Sequence, residues 1–323
     1  MGRVRIQTVP MVLLVIAVLA GGTHSFTGNV VAQEATPAGE AATPGGDAGY
    51  AHPEWLVDPA WLAEHGGDAD VTVVALTPEE EFAAGHVPGA AQVDWPELKV
   101  TDTSDPSIMR WQGEVEGVLT RLGISPTDTV VIYDGGTLFA ARLWWVLEQL
   151  GHADKRILNG GYPSWAAADG AVETGPSTAT PAPSLYMSAP NSAALASLED
   201  VRAALDDPGV VLVDARTAEE FAAGHIPGAV NLDFPQNAAA ENPKVWKSAA
   251  ELRALYADLG VTPDKTVFPY CATGVRSAVT YFTLRLLGYP DVRLYTGSWE
   301  EWSGRPDLPT ETADGRRQDE VTS

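Results

Sequence analysis

An internal repeat limits the possible folds of this chain more than any other feature of its sequence. The segment EEFAAGHVPGA at residues 80–90 recurs as EEFAAGHIPGA at residues 219–229. Two later pairs of segments match in the same order: residues 150–151 with 287–288, and residues 160–165 with 297–302. Because the order of the matches is kept and the shift changes only from 139 to 137 residues, the sequence indicates a tandem duplication. We therefore expect two domains of the same fold.

Each half alternates short apolar runs with stretches whose apolar residues recur at helical spacing. In the second half, residues 210–213 and 266–268 are predicted strands, and residues 249–259 and 278–287 are predicted helices. This alternation predicts an α/β fold in which each domain has a mainly parallel sheet flanked by helices. Loops at the carboxyl ends of parallel strands lie at one edge of a sheet. The loops that follow these two predicted strands should therefore converge.

The second of these loops contains Cys271, the only cysteine in the chain. It begins the segment CATGVR at residues 271–276, just before a predicted helix. Small side chains and a glycine let successive backbone N–H groups point inward, and such a nest at a helix N-terminus stabilises negative charge. Arg276 adds a cation. We predict that Cys271 is a thiolate nucleophile; the alternative is a buried, inert cysteine that packs as a small hydrophobe.

Composition argues against several classes of protein. The net charge of −23 and the sequence pI of about 4.4 disfavour binding to nucleic acid or to anionic membrane surfaces. A single cysteine excludes a Cys-x-x-Cys oxidoreductase and a cysteine-based zinc site. No motif calls for a metal or an organic cofactor, so we expect none.

The N-terminus has the layout of a secretory signal. Arg3 and Arg5 precede an apolar run at residues 11–20, and small residues follow. We predict export to the periplasm, the cell envelope or the extracellular space, with no membrane span in the mature chain if the signal is cleaved. The alternative is that the apolar run stays as an uncleaved anchor.

Composition also predicts the domain boundaries. Two stretches rich in Ala, Pro, Gly and Thr have no hydrophobic periodicity, which is typical of flexible segments. The predicted segments are a signal peptide at 1–32, a flexible linker at 33–49, a first domain at 50–175, an interdomain linker at 176–192, a second domain at 193–308 and a tail at 309–323.

Taken together, the motifs resemble the tandem-domain rhodanese family, the thiosulfate and 3-mercaptopyruvate sulfurtransferases. The resemblance rests on the two GHxPGA segments, on residues 214–216 and 271–276, and on the first-half segments 133–135, 142–145 and 158–161. In the first half, Asp134 replaces the cysteine, and Ala75-Leu76-Thr77 occupies the place of Asp214-Ala215-Arg216. We therefore expect the first domain to be inactive as a sulfurtransferase.

The resemblance implies a ping-pong reaction through a Cys271 persulfide. The sulfur would come from a small anionic donor and pass to cyanide or a thiol acceptor. The expected substrate-binding residues are two arginines that would hold the donor and four residues whose N–H groups would cradle the persulfide: Arg216, Arg276, Ala272, Thr273, Gly274 and Val275. For Arg216 the alternative is a structural salt bridge with Glu219 or Glu220. Thiosulfate is favoured over 3-mercaptopyruvate because a second cation suits a dianionic donor.

Two other functions remain as alternatives. A phosphatase could also use a thiolate in a Cys-loop-Arg cradle, but Cys271 and Arg276 enclose four residues, whereas the phosphatase pattern encloses five. A non-enzymatic persulfide carrier would use the same loop. His86 and His225, each in a Gly-His-x-Pro-Gly turn, are expected to fix that turn rather than to transfer protons.

Overall fold

The computed structural model describes residue 47 and residues 49–100, 102–178, 184–240 and 244–315. The predicted signal peptide, most of the predicted linker at 33–49, and parts of the interdomain linker and of the tail lie outside these ranges. Within the ranges, none of the helices combines the length and the apolar character that a membrane span requires.

The first half forms a parallel sheet with the strand order β1-β5-β4-β2-β3. Its strands are β1 (Leu56–Val57), β2 (Val71–Leu76), β3 (Ala91–Val93), β4 (Thr129–Tyr133) and β5 (Asp154–Leu158). Its helices are α1 (Pro59–His65), α2 (Glu79–Ala84), α3 (Asp105–Arg121), α4 (Ala140–Gln149) and α5 (Gly161–Ala167), with 3-10 helices at Pro53–Trp55 and Trp95–Leu98.

The second half repeats this arrangement with the parallel strand order β7-β6-β8. Its strands are β6 (Val210–Asp214), β7 (Val230–Asn231) and β8 (Thr266–Tyr270). Its helices are α6 (Leu198–Ala203), α7 (Ala218–Ala223), α8 (Ala249–Ala257), α9 (Arg276–Leu286) and α10 (Ser298–Ser303), with 3-10 helices at Ser192–Ala194 and Phe234–Asn237. Parallel bridges Leu195–Leu294 and Val267–Val292 extend the sheet where the first half has β1 and β5. The predicted fold class, two tandem α/β domains with parallel sheets, is confirmed.

Local sequence explains where these elements begin and end. The predicted strands at 210–213 and 266–268 are present as β6 and β8, and the latter ends one residue before the cysteine. Helix α8 starts after Ser248, whose side chain accepts the N–H of Glu251 in a capping box. Helix α9 starts at Arg276 rather than at 278, directly after the cysteine loop. The loop therefore leads straight into a helix N-terminus, as predicted.

Helices α4 and α9 pack against each other between the two halves. The ring of Trp144 lies edge-on to the ring of Phe282, with 5.0 Å between centroids, and the Trp145 Nε1–H donates to the Ala194 carbonyl at 2.9 Å. Both tryptophans are fully buried. Since each buried tryptophan removes a large apolar area from water, this contact fixes the orientation of the two domains.

Candidate active site

Cys271 lies at the carboxyl end of β8, where its sulfur accepts hydrogen bonds from the loop that follows. The residue is 1% exposed. Its Sγ accepts the Gly274 N–H at 3.2 Å and the Ser277 hydroxyl at 3.5 Å. Its own N–H donates to the Ser298 hydroxyl at 3.2 Å. The sulfur is thus held in one place with two donors aimed at it, an environment that favours negative charge on that atom.

The shape of the loop depends on Gly274. This glycine has a φ of +83°, a conformation that residues with side chains rarely adopt. A Cβ atom at this position would lie 2.6 Å from both the carbonyl oxygen and the hydroxyl of Thr296. The close approach of Gly274 to Thr296 is therefore what brings its N–H over the sulfur.

A residue of the first domain, Arg142 on α4, reaches across the interface to this loop. Its Nη1 donates to the Thr296 hydroxyl at 2.9 Å and to the Gly274 carbonyl at 3.4 Å, and its Nη2 donates to the Leu98 carbonyl at 2.5 Å. Burial lowers the pKa of Arg142 to about 10, while the charge of Cys271 acts in the opposite direction. The guanidinium is therefore still charged at neutral pH. The first domain supplies a buried cation to the cysteine loop of the second.

Arg276, at the start of α9, is paired with Glu220 at the start of α7. The two guanidinium nitrogens Nη1 and Nη2 donate to the two carboxylate oxygens at 2.6 and 2.8 Å. This pairing lowers the pKa of Glu220 to about 2 and raises the pKa of Arg276 above its usual range, and the charge of Cys271 also favours the Arg276 cation. Glu220 thus positions Arg276 beside the sulfur.

Arg216 occupies a different place from the one expected for a donor-binding side chain. It is 3% exposed and pairs with Asp214, with Nη2 to Oδ2 at 2.6 Å. The same nitrogen donates to the Gly224 carbonyl at 2.7 Å, and the guanidinium lies 4.7 Å from the centre of the Trp299 ring. The alternative of a salt bridge with Glu219 or Glu220 was wrong in its partner, because Glu220 is bound to Arg276.

The corresponding loop of the first domain holds a carboxylate. Asp134 is 2% exposed, and its oxygens accept three backbone N–H groups: those of Gly136 at 2.7 Å, Thr137 at 3.0 Å and Ala140 at 2.7 Å. Burial raises the pKa of Asp134, while the three N–H donors oppose that rise. The loop between β4 and α4 therefore aims three N–H groups at one carboxyl group, and its sequence aligns with the cysteine loop without a gap.

His86 and His225 fix their turns. Each Nδ1 lies 2.9 Å from the backbone carbonyl of a phenylalanine four residues earlier, and each imidazole stacks on that phenyl ring at 3.7 Å. The N–H of His225 donates to the Glu311 carbonyl, as that of His86 does to the Glu173 carbonyl. The expected structural role agrees with these contacts.

The structure brings together Cys271, Gly274 and Arg276 from the predicted site residues, with Ala272, Thr273 and Val275 completing the loop. Arg142 was not identified as a site residue from the sequence, although segment 142–145 contributes to the family resemblance. A signal was present, because Arg142 is the one charged residue in an otherwise apolar run at residues 138–147. A charged residue kept in such a run needs partners from outside its own helix.

A comparison with models of protein families matches this chain twice to the rhodanese-like domain, at residues 58–168 and 197–305. Among curated proteins, a thiosulfate sulfurtransferase of Pseudomonas aeruginosa is 33% identical over 79% of this chain and 96% of its own length. The 3-mercaptopyruvate sulfurtransferase of Escherichia coli is 32% identical over 80% of this chain and 98% of its own. A sulfur carrier protein of Thermus thermophilus is 37% identical over 81% and 98%.

Among solved structures, SseA from Escherichia coli superposes with a TM-score of 0.67 at 31% identity, covering 76% of this chain and 99% of its own. The two family matches coincide with the two halves of the internal repeat, and the second contains the Cys271 loop. The chain belongs to the rhodanese family of sulfurtransferases and carries two rhodanese-like domains in tandem.

Proposed function

We propose that this protein transfers the sulfane sulfur of thiosulfate, through a persulfide on Cys271, to cyanide or to a thiol. The observation that carries the proposal is the environment of the Cys271 sulfur. Two donors point at it, and two arginines, Arg142 and Arg276, interact with its charge. Nucleophilic catalysis by a cysteine requires such an activated thiolate.

In the first step, the Cys271 thiolate attacks the outer sulfur of thiosulfate. A new S–S bond forms to Cys271 while the S–S bond of thiosulfate breaks, and its electron pair leaves with sulfite. In the second step, cyanide or a thiolate attacks the outer sulfur of the persulfide. Thiocyanate or a new persulfide departs, and the Cys271 thiolate is regenerated. No oxidant or reductant is consumed.

The first domain provides an internal argument for the cradle. There the three loop N–H groups already hold the Asp134 carboxylate. The cysteine loop aligns with this loop without a gap and also leads into a helix, so its N–H groups can surround the outer sulfur of a persulfide in a similar way. Ala272, Thr273, Gly274 and Val275 are the residues we propose for this role.

The donor is proposed to be thiosulfate because of the charge around the loop. Arg276 is half-buried, whereas Arg142 and Arg216 are buried. We assign contact with the donor to Arg276 and a supporting role to Arg216, which braces Trp299 and Gly224. Arg142 and Arg276 both lie near the sulfur, and although Glu220 pairs with Arg276, a guanidinium fork at this place suits the sulfonate-like oxygens of thiosulfate.

Intact mass spectrometry tests the proposal directly. The purified protein is weighed before and after incubation with thiosulfate, and again after addition of cyanide, beside a Cys271→Ala control. We expect a gain of one sulfur atom that cyanide removes as thiocyanate, and no gain in the control. A failure to gain sulfur from either thiosulfate or 3-mercaptopyruvate would contradict the proposal. Hydrolysis of a phosphate ester by the same sample would instead indicate phosphatase chemistry.

A persulfide carrier is the second candidate function, favoured by the 37% identity to a protein named as a sulfur carrier. Steady-state assays separate the two functions. An enzyme releases many equivalents of thiocyanate from small donors, whereas a carrier releases one equivalent and needs a partner protein to reload it.

We further propose that the protein is exported. The support is the charged, apolar and small-residue order of the N-terminal sequence. Sequencing the N-terminus of the protein recovered from the native cell envelope or medium tests this. A mature N-terminus near Gln33 is expected, and recovery with the cytoplasm of a chain that keeps residues 1–32 would contradict it.

A further inference from the structure

The first domain contains a cavity of about 290 Å³ beside the β2–α2 connection. Side chains of Thr77, Glu81, Tyr133 and Tyr162 line it, together with Gly85. None of its lining residues belongs to the Cys271 loop, and it has no role in the proposed sulfur transfer. We call it the Thr77 cavity.

The equivalent space in the second domain is filled by the Arg216 guanidinium. The repeat aligns Thr77 with Arg216, Gly85 with Gly224 and Tyr162 with Trp299. The contacts agree with this alignment: the Tyr162 N–H donates to the Asp134 carbonyl at 2.8 Å, as the Trp299 N–H donates to the Cys271 carbonyl at 2.9 Å.

Each aromatic ring also lies against its glycine. A Cβ on Gly85 would come within 2.7 Å of the Tyr162 hydroxyl, and one on Gly224 within 3.2 Å of the Trp299 ring. The Thr77 cavity therefore corresponds to the space that the Arg216 guanidinium fills in the second domain. The first domain has Thr77 at this position and no arginine.

Two polar groups at the cavity lack the partners that their counterparts have. The Thr77 hydroxyl oxygen is buried without a hydrogen-bond partner, and the residue is 7% exposed. The Glu81 carboxylate forms no ion pair within the described ranges, whereas its counterpart Glu220 binds Arg276. Phe139 stands where the second domain has Arg276. A buried hydroxyl without a partner costs free energy, and the Glu81 carboxylate at the same cavity can only accept hydrogen bonds. The cavity is therefore suited to a ligand that donates hydrogen bonds.

We propose that the Thr77 cavity binds a guanidinium group supplied by a ligand. The planar cation would stack on the Tyr162 ring, as Arg216 lies over Trp299 in the other domain. It would donate to the Thr77 hydroxyl and to the Gly85 carbonyl, the counterpart of the Gly224 carbonyl that accepts from Arg216. Glu81 supplies the negative charge. Because Ala75 replaces Asp214, this charge lies at the mouth of the cavity rather than at its base.

Calorimetric titration of the full chain with methylguanidinium tests the proposal, with methylammonium at the same ionic strength as the reference cation. We expect saturable binding of methylguanidinium that Glu81→Gln weakens by about tenfold or more. Glu80→Gln is the matched control, since Glu80 is an exposed carboxylate on the same helix that does not line the cavity. Equal weakening by both variants would show non-specific attraction to an acidic protein and would overturn the proposal.

A second variant keeps the test independent of Glu81. The double change Ala75→Asp and Thr77→Arg rebuilds the arrangement of the second domain and should fill the cavity. We expect this variant to lose methylguanidinium binding while the sulfur loading of Cys271 is unchanged. Binding that persists in the folded double variant would refute the assignment.

A short peptide with a single arginine forms the other arm of the titration. Binding of the peptide but not of methylguanidinium, lost in Glu81→Gln, would assign the cavity to an arginyl side chain of a partner. Binding of both the peptide and methylguanidinium would support either source of the guanidinium group, an arginyl side chain or a small guanidino compound. Binding of neither would overturn the proposal.

Discussion

Replacing Gly274 with alanine should inactivate the enzyme by displacing the loop rather than by unfolding the protein. The positive φ of Gly274 alone costs a residue with a side chain roughly 1–2 kcal/mol. The new Cβ would also lie 2.6 Å from the Thr296 carbonyl oxygen, which is backbone and cannot rotate away. Relief of such an overlap in a packed region costs typically about 1–3 kcal/mol. The two effects together predict a loss of about 2–5 kcal/mol, concentrated in the loop.

The loop must move for the overlap to be relieved, and the Gly274 N–H moves with it. A misplacement of about 1 Å in an active site can reduce a rate by about 100-fold. We expect Gly274→Ala to load sulfur from thiosulfate about 100 times more slowly than the parent protein, measured by intact mass over time. Thermal unfolding, followed in parallel, should still show one folded state.

Gly260→Ala is the matched control for this substitution. Gly260 also has a positive φ, of +73°, but a Cβ there would meet nothing within 4 Å. It carries the same conformational cost without the overlap and lies outside the cysteine loop. If Gly274→Ala and Gly260→Ala load sulfur at similar rates, the close contact with Thr296 does not shape the site and the reasoning is refuted.

Three further predictions concern charged groups. Arg142→Met should lower the free energy of unfolding by about 1–3 kcal/mol, because the buried Leu98 carbonyl and Thr296 hydroxyl lose their donor. It should also slow the sulfur loading of Cys271 by about tenfold per folded molecule; unchanged loading would contradict a role for this cation. Glu220→Gln should lower the melting temperature at pH 7 relative to the parent protein. This difference should vanish as the pH falls from about 4.5 to about 2, because the ion pair with Arg276 depresses the pKa of the carboxyl and its contribution is lost on protonation. A difference in melting temperature that does not change with pH would contradict this. Asp134→Ala should lose at least about 2 kcal/mol in urea unfolding, because three buried N–H groups lose their acceptor, while Cys271 still loads sulfur at the parent rate per folded molecule; equal stability of the two proteins would count against the cradle.

The fold could be predicted well because the same pattern of apolar runs and motifs occurs in both halves of the chain. The apolar runs that form β6 and β8 lead directly to Asp214 and Cys271, and the repeat places the same pattern in the first half. Predicted helix ends shifted by a residue or two. Helix α9 begins two residues earlier than predicted because the last residue of the CATGVR segment, Arg276, is already helical.

The candidate site could be predicted only in part. Cys271 and its loop are contiguous in sequence, so their chemistry is legible from composition and spacing. The partner of Arg216 was wrong because Asp214 and Glu220 are both within reach of it along the chain, and only packing decides between them. Arg142 was missed because a single sequence carries no distance between residues of different domains.

The interdomain reach of Arg142 has a consequence for how this protein can be dissected or engineered. The half with the nucleophile is not a self-sufficient module, because the other half contributes a buried charge and the Leu98 carbonyl that anchors it. Cutting the chain between its halves would remove both from the cysteine loop. Libraries meant to change donor preference should therefore sample α4 together with residues 271–276, since this helix of the first domain contacts the cysteine loop of the second.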